Sequence, residues 1–274
     1  MFHVFLPYSL GDMIIALRSS LSTLPAHEIC FYPQAVHAGF FKKFSFLQTA
    51  KHGTSCINAF DTVICFTDPS VCPAALRNIV SAERILHIKH QPGKNIYLEY
   101  SGALLRNHYA SGTWHTLPEE PGENIILYPG SGSEKKNWPL ENYLELAAGL
   151  IKKNKYPVFL CGCREMEMKN SYREKIIGFM NCRFPNLFPK TAIVESETLV
   201  QLYECIRSAR LVVCADTGIM HLALWMHKNT LAVFGPTSPK EWAPADKNLC
   251  VINANPAFLP AQTVLEKMEK LLGV

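Results

Sequence analysis

Short apolar runs of strand length alternate along the chain with segments whose apolar residues recur at helical spacing. The pattern predicts strands at 2–7, 28–32, 62–66 and 85–88, with helices at 12–24 and 97–108. It then stops. Residues 111–122 are rich in turn formers and have no apolar period, which marks a domain boundary. The alternation resumes with strands at 125–128, 157–160, 211–214, 231–234 and 249–252. Helices are expected at 139–153, 165–179, 196–209 and 217–227, and an amphipathic one closes the chain around 266–272. Repeated βα units with short apolar strands imply the α/β class, with parallel sheets covered on both faces. Two such sets imply two Rossmann-like domains, at 1–115 and 122–274.

Three strand-to-helix turns carry candidate chemistry. The first is Asp216-Thr217-Gly218-Ile219-Met220-His221, which follows the apolar run 211–215 and opens a helix. Small residues there leave backbone N–H groups free for an anion. A carboxylate beside a phosphate is repulsive unless it faces a sugar or a cation, so this turn suggests a nucleotide-sugar site. His221 is open to two readings, a packed side chain or a ligand contact. The second turn is Pro129-Gly130-Ser131-Gly132-Ser133, followed by Lys135, Lys136, Trp138 and Pro139. It leaves a strand at the sheet's carboxyl edge, where open α/β folds bind ligands, and a lysine adds a point charge for a diphosphate. The third is Ser9-Leu10-Gly11-Asp12. There Asp12 reads either as a helix N-cap or as a catalytic base. Neither domain's first strand leads into G-x-G-x-x-G, so the dinucleotide fingerprint is missing, and no P-loop sequence occurs.

Composition narrows the classes further. The 274 residues include 48% hydrophobic ones, ample for two buried cores. A net charge of +4 without a dense basic run suits phosphates and argues against nucleic acid. The ten cysteines lie mostly in apolar strands without CxxC, as reduced core residues would. No apolar run approaches membrane-spanning length and no secretory signal pattern opens the chain, so a cytoplasmic location is expected. The aromatic and basic cluster Phe40, Phe41, Lys42, Lys43, Phe44 and Phe46 is a candidate peripheral membrane contact, or else a buried helix with two solvated lysines. No DxD-type metal site is visible, so no metal is expected to be obligatory, with magnesium at most a stimulant.

These motifs together resemble glycosyltransferase family nine, the ADP-heptose:lipopolysaccharide heptosyltransferases. The resemblance rests on Ser9–Asp12, on Pro129–Gly132 with Lys136-Asn137-Trp138-Pro139, and on Asp216–His221 followed by Phe234-Gly235-Pro236-Thr237. It covers 124–244 in the second half and is confined to the turn around Asp12 in the first. It implies a GT-B architecture, two Rossmann-like domains with parallel sheets facing an interdomain cleft. The N-terminal domain would be the acceptor side, shorter than the family pattern, and the C-terminal domain would bind the donor. By the same resemblance the reaction is an inverting transfer of a heptose, or a related sugar, from an ADP-sugar to an inner-core lipopolysaccharide or other glycan hydroxyl. The acceptor would be lipid-linked or an oligosaccharide, met at the inner face of the cytoplasmic membrane. Asp12 would act as base and Lys136 would contact the phosphates or the sugar. Asp216 would hold sugar hydroxyls, Thr217 and Gly218 would donate to the diphosphate, and Glu165 would hold the ribose. Ser131, Gly132, Ser133 and His221 complete the expected donor site. A shortened relative that binds a nucleotide sugar without transferring it, or a GT-B enzyme using another nucleotide sugar, are the alternatives.

Overall fold

The computed structural model describes residues 1–7, 9–24, 29–33, 37–44, 47, 49, 57–59, 61–66, 76, 78–106, 117, 119–162, 172–183, 185, 191–254 and 259–272. The chain divides into two compact units, Met1–Thr116 and Leu117–Val274.

Unit 1 holds β1 (Phe2–Phe5), α1 (Leu10–Thr23), β2 (Ile29–Tyr32), α2 (Ala38–Lys43), β3 (Thr62–Cys65), β4 (Ile85–His87) and α3 (Ile96–Arg106). Its sheet is parallel, in the order β2-β1-β3-β4. The strands are apolar and buried on both faces, with Val63 and Cys65 packed with Ile57, Leu76 and Val80. Val4, Phe31, Val63, Ile64 and Cys65 are fully buried. Helix α1 buries Met13, Ile14, Ile15, Ala16 and Leu17 and packs along α3. The same packing corrects the membrane-contact reading of the 40–46 cluster. Phe40 and Phe41 are 0% and 2% exposed, and Phe44 is buried, so these rings fill the core. Phe40 lies edge-on to Phe41 and Phe44. Only Lys42 and Lys43 face water, and Phe46 lies outside the described residues.

Unit 2 holds β5 (Asn124–Tyr128), α4 (Leu140–Lys152), β6 (Val158–Gly162), α5 (Tyr172–Arg183), β7 (Ala192–Ser196), α6 (Leu199–Arg207), β8 (Ala209–Ala215), α7 (Gly218–Trp225), β9 (Asn229–Phe234), α8 (Pro239–Trp242), β10 (Leu249–Asn253) and α9 (Ala261–Leu272). Its six strands are all parallel, in the order β10-β9-β8-β5-β6-β7. Trp138, Tyr143, Phe159, Leu211, Val213 and Val233 anchor its core. Helix α7 is buried from Ile219 to Trp225, so it has no polar face to show.

Two helices differ from the sequence expectation. The stretch 196–209 is not one helix: β7 ends at Ser196, and α6 begins after Thr198, which closes a capping box with Gln201. Strand β7 sits at the sheet edge and is only partly buried, so it lacks the apolar run that marks its neighbours. The helix expected at 165–179 is described only from Tyr172, and it runs on to Arg183.

The domain boundary at 111–122 falls partly on described residues. There Lys228, 5% exposed, donates from Nζ to the carbonyls of Glu120 (2.5 Å) and Arg207 (2.6 Å). Burial pulls its ammonium below the usual lysine range. The entry to unit 2 is thereby fastened to the amino-terminal end of the sheet.

Candidate functional site

In unit 2 the chain runs outward from β5 through β6 to β7, then returns to the other side of β5 as β8. The loops leaving β5 and β8 therefore diverge at their carboxyl ends, which is where open α/β sheets hold ligands. Tyr128 and Cys214 are in register at that end. Both candidate donor turns start there.

The loop after β5 is shaped by its own hydroxyl. Ser131, 8% exposed, donates from Oγ to the Ser133 carbonyl (2.7 Å) and accepts from the Ser133 N–H (3.1 Å). Gly132 and Ser133 are exposed on the turn. A 3₁₀ turn over Glu134–Lys136 follows. Trp138 then plugs into the core, fully buried, with Nε1 donating to the Leu259 carbonyl (2.9 Å) and its ring edge-on to Tyr143. That anchor fixes the backbone two residues beyond Lys136.

Asp216 follows β8 directly and is 4% exposed. Its Oδ2 accepts from Lys136 Nζ at 2.9 Å. The repulsion a carboxylate would offer to a phosphate is thus offset by a lysine 80 positions away in sequence. Burial, and then the Asp216 charge, push the nearby Cys214 thiol far above its usual range, so it stays neutral. Thr217 caps α7 in extended geometry without a side-chain cap bond, and it and Gly218 are half-buried. The first N–H groups of α7 have no helical partner and suit an anion. His221 is 3% exposed inside α7. Glu165 lies outside the described residues.

Two contributors were not legible in the sequence as site residues. Trp242, on α8 beyond β9, places its ring 5.2 Å from Lys136 Nζ, a cation–π distance. Thr237 has a buried Oγ1 with no hydrogen-bond partner among the described residues. The Phe234–Thr237 turn was the available signal for both, since it leaves β9 beside β8 at the same sheet edge.

In unit 1 the corresponding switch point lies between β1 and β3, on either side of which the chain departs to β2 and β4. Ser9, not Asp12, is the N-cap of α1: its Oγ accepts from the Asp12 N–H at 3.2 Å. The same hydroxyl donates to Asp12 Oδ2 at 2.7 Å. Asp12 is half-buried in the first turn of α1.

Among the described residues no group of three or more His, Cys, Asp or Glu side chains could hold a metal ion. No described helix is long and apolar enough to cross a membrane.

Comparison with known proteins adds a family. The model for glycosyltransferase family 9 (heptosyltransferase) matches residues 70–272. The chain is 27% identical over 158 residues to lipopolysaccharide heptosyltransferase 1 of Escherichia coli K12, covering 57% of this chain and 46% of that protein. It is 24% identical over 295 residues to lipooligosaccharide heptosyltransferase 2 of Campylobacter jejuni serotype O:2, covering 94% and 88%. Lipooligosaccharide heptosyltransferase 2 of Haemophilus influenzae is 30% identical, over 48% of this chain and 37% of its own length. The chain therefore matches less than half the length of the E. coli and H. influenzae proteins. Among solved structures, E. coli ADP-heptose lipopolysaccharide heptosyltransferase II superposes with a TM-score of 0.78 at 18% identity, covering 99% of this chain and 98% of that one. E. coli heptosyltransferase WaaC with ADP gives 0.69 at 17% identity, covering 98% and 99%. The α/β fold with parallel sheets is that of these GT-B proteins.

Proposed function

The chain belongs to glycosyltransferase family 9, the heptosyltransferase family, and from that premise we propose that it is an inverting transferase. It moves a heptose, or a related sugar, from an ADP-sugar to a hydroxyl of an inner-core lipopolysaccharide or other glycan acceptor. The transfer would take place at the inner face of the cytoplasmic membrane. One observation carries the donor half of this reading. Lys136 and Asp216 meet at 2.9 Å at the unit 2 switch point, beside the open N-terminus of α7.

That arrangement suits a sugar diphosphate. Lys136 and the N–H groups of Gly218 and Ile219 supply positive potential where charge grows on the departing diphosphate. Thr217 adds a hydroxyl, and the exposed Gly132–Ser133 turn allows close backbone approach. Asp216, its charge already balanced by Lys136, accepts hydrogen bonds from sugar hydroxyls. His221 shapes the floor beneath them from inside α7, and Glu165 is assigned to the ribose on family resemblance.

Asp12 takes the proton of the acceptor hydroxyl as its oxygen attacks the anomeric carbon. The bond from that carbon to the phosphate oxygen breaks, and the electron pair leaves with the diphosphate. A positioned carboxylate base is worth about 10²–10⁴-fold in rate. No step requires a metal from the residues named.

The test of the donor is calorimetry with ADP, UDP and GDP, paired with ADP-heptose transfer assays. ADP is expected to bind most tightly. Tighter UDP or GDP binding would remove the ADP-sugar assignment and leave the GT-B reading in place.

A further inference from the structure

A second residue, Tyr100, lies at the same end of the unit 1 sheet as Asp12. Phe66 follows β3 directly and its N–H donates to the Phe5 carbonyl at the end of β1 (3.1 Å), so it sits at the carboxyl ends of the two central strands. The Tyr100 ring packs on it at 4.9 Å between centroids and is 4% exposed. Helix α3, which carries Tyr100, lies along α1, which carries Asp12. Arg18 of α1 lies over the Tyr97 ring of α3 at 5.4 Å, a second tie between the helices.

The start of α3 is held firmly. Asn95 Oδ1 accepts from the Leu98 N–H (3.3 Å). Glu99 Oε2 accepts from the Gln91 N–H (2.9 Å) and meets His90 Nδ1 at 2.7 Å, in the segment leaving β4. Glu99 and His90 are only 11% and 15% exposed, so this link is shielded from water. Segments leaving β1, β3 and β4 thus converge on one stretch of α3, and Tyr100 is fixed among them.

We propose that Tyr100 is a substrate-contacting residue: with Asp12 it forms the acceptor subsite of unit 1, its phenol donating to the sugar hydroxyl oxygen that Asp12 deprotonates. This rests on the glycosyl-transfer reading above. The ligand class is a polyhydroxylated saccharide, held by hydrogen bonds rather than by charge. Burial, then the charges of Asp12 and Glu99, raise the Tyr100 phenol far above its usual range. It therefore keeps its proton and acts as a donor throughout. In the transfer the acceptor proton passes to Asp12, the acceptor oxygen bonds to the anomeric carbon, and the diphosphate leaves with the electron pair. Tyr100 aligns the oxygen lone pair and neither gains nor loses a proton.

Tyr100→Phe removes one oxygen and keeps the ring on Phe66, so the fold should survive, which a melting curve checks. Two measurements follow: ADP-heptose transfer to a deacylated inner-core oligosaccharide, and saturation-transfer NMR of that oligosaccharide without donor. Tyr100→Phe is expected to lower kcat/KM for the acceptor about tenfold, as for one lost hydrogen bond in a substrate complex. Its saturation signal should weaken while ADP affinity stays the same. Glu99→Gln, which loosens the His90 anchor, should shift acceptor KM in the same direction by less. If the parent transfers sugar and Tyr100→Phe matches it in acceptor kcat/KM, the subsite is wrong and the functional reading stands. If the parent neither transfers sugar nor binds the oligosaccharide, the functional reading fails and takes the subsite with it.

Discussion

Asp12 and Asp216 both stand where a central parallel strand gives way to a helix, Asp12 in the first turn of α1 and Asp216 just ahead of α7, yet their surroundings differ. Asp216 is 4% exposed and paired with Lys136. Asp12 is half-buried and bonded to a neutral hydroxyl, Ser9 Oγ. A carboxylate already paired with an ammonium is suited to accepting hydrogen bonds from sugar hydroxyls. One bonded to a single neutral hydroxyl stays open to a hydrogen bond from an incoming acceptor hydroxyl. The proposed function accordingly gives the same residue type a binding role in unit 2 and a proton-accepting role in unit 1.

The sharpest way to break that contrast is Asp12→Asn. Turnover should fall by about 10²–10⁴-fold with ADP affinity unchanged, as read by transfer assays and calorimetry. An amide at this position keeps the Ser9 contact but cannot accept the proton. Transfer at the parent rate would leave Asp12 with only a structural place in the first turn of α1.

Lys136→Met tests the other side. It strands a buried carboxylate, which for a fully buried pair costs about 3–5 kcal/mol. Lys136 is 30% exposed, so a smaller loss is expected, about 1–3 kcal/mol by denaturant titration. ADP affinity should fall as well. Adding Asp216→Asn to Lys136→Met should restore part of the stability but none of the affinity. A double variant no more stable than the single would show the pair to be energetically idle.

A smaller effect separates the carboxyl end of the unit 1 sheet from its interior. His3 is fully buried on β1, with Nε2 3.1 Å from Asp61 Oδ2 and Nδ1 2.9 Å from the Tyr32 hydroxyl. Burial outweighs Asp61 and lowers the His3 pKa below its ordinary 6.5. The unfolded chain then binds this proton more readily than the folded one. Stability contributed by neutral His3 is therefore complete above pH 6.5 and drains away as pH falls from there toward the lower folded value. His3→Gln should flatten this slope, measured by hydrogen exchange at the β1 and β3 amides. An unchanged slope would place the acid sensitivity elsewhere.

Much of the fold was legible because its strands are buried on both faces. The runs at 211–214 and 231–234 are continuous and apolar, and both became strands with ends extended by a residue or two. Strand β7 was missed because an edge strand needs no such run, and Ala192–Ser196 is exposed or half-buried at every position but the last. The 40–46 cluster was misleading for a related reason. Phenylalanines beside lysines suit a membrane surface and a buried helix equally, and only packing against Phe31 and within α2 decided for the core.

The chain by itself determined its class, its two βα series, and the turns that carry Asp12, Ser131–Lys136 and Asp216–His221. Those are local properties, set by apolar period and by the small residues that strand-to-helix turns require. Tertiary structure decided which of these residues meet. Lys136 and Asp216 are 80 positions apart and become neighbours because β8 returns beside β5. Trp242 joins them because β9 lies next to β8, and Tyr100 reaches the Asp12 end of unit 1 because α3 packs along α1. Strand order in a parallel sheet is fixed by crossover connections and by which faces can be buried together. A local pattern carries no record of either, so the partners of each charged side chain are settled only when the sheet closes its order.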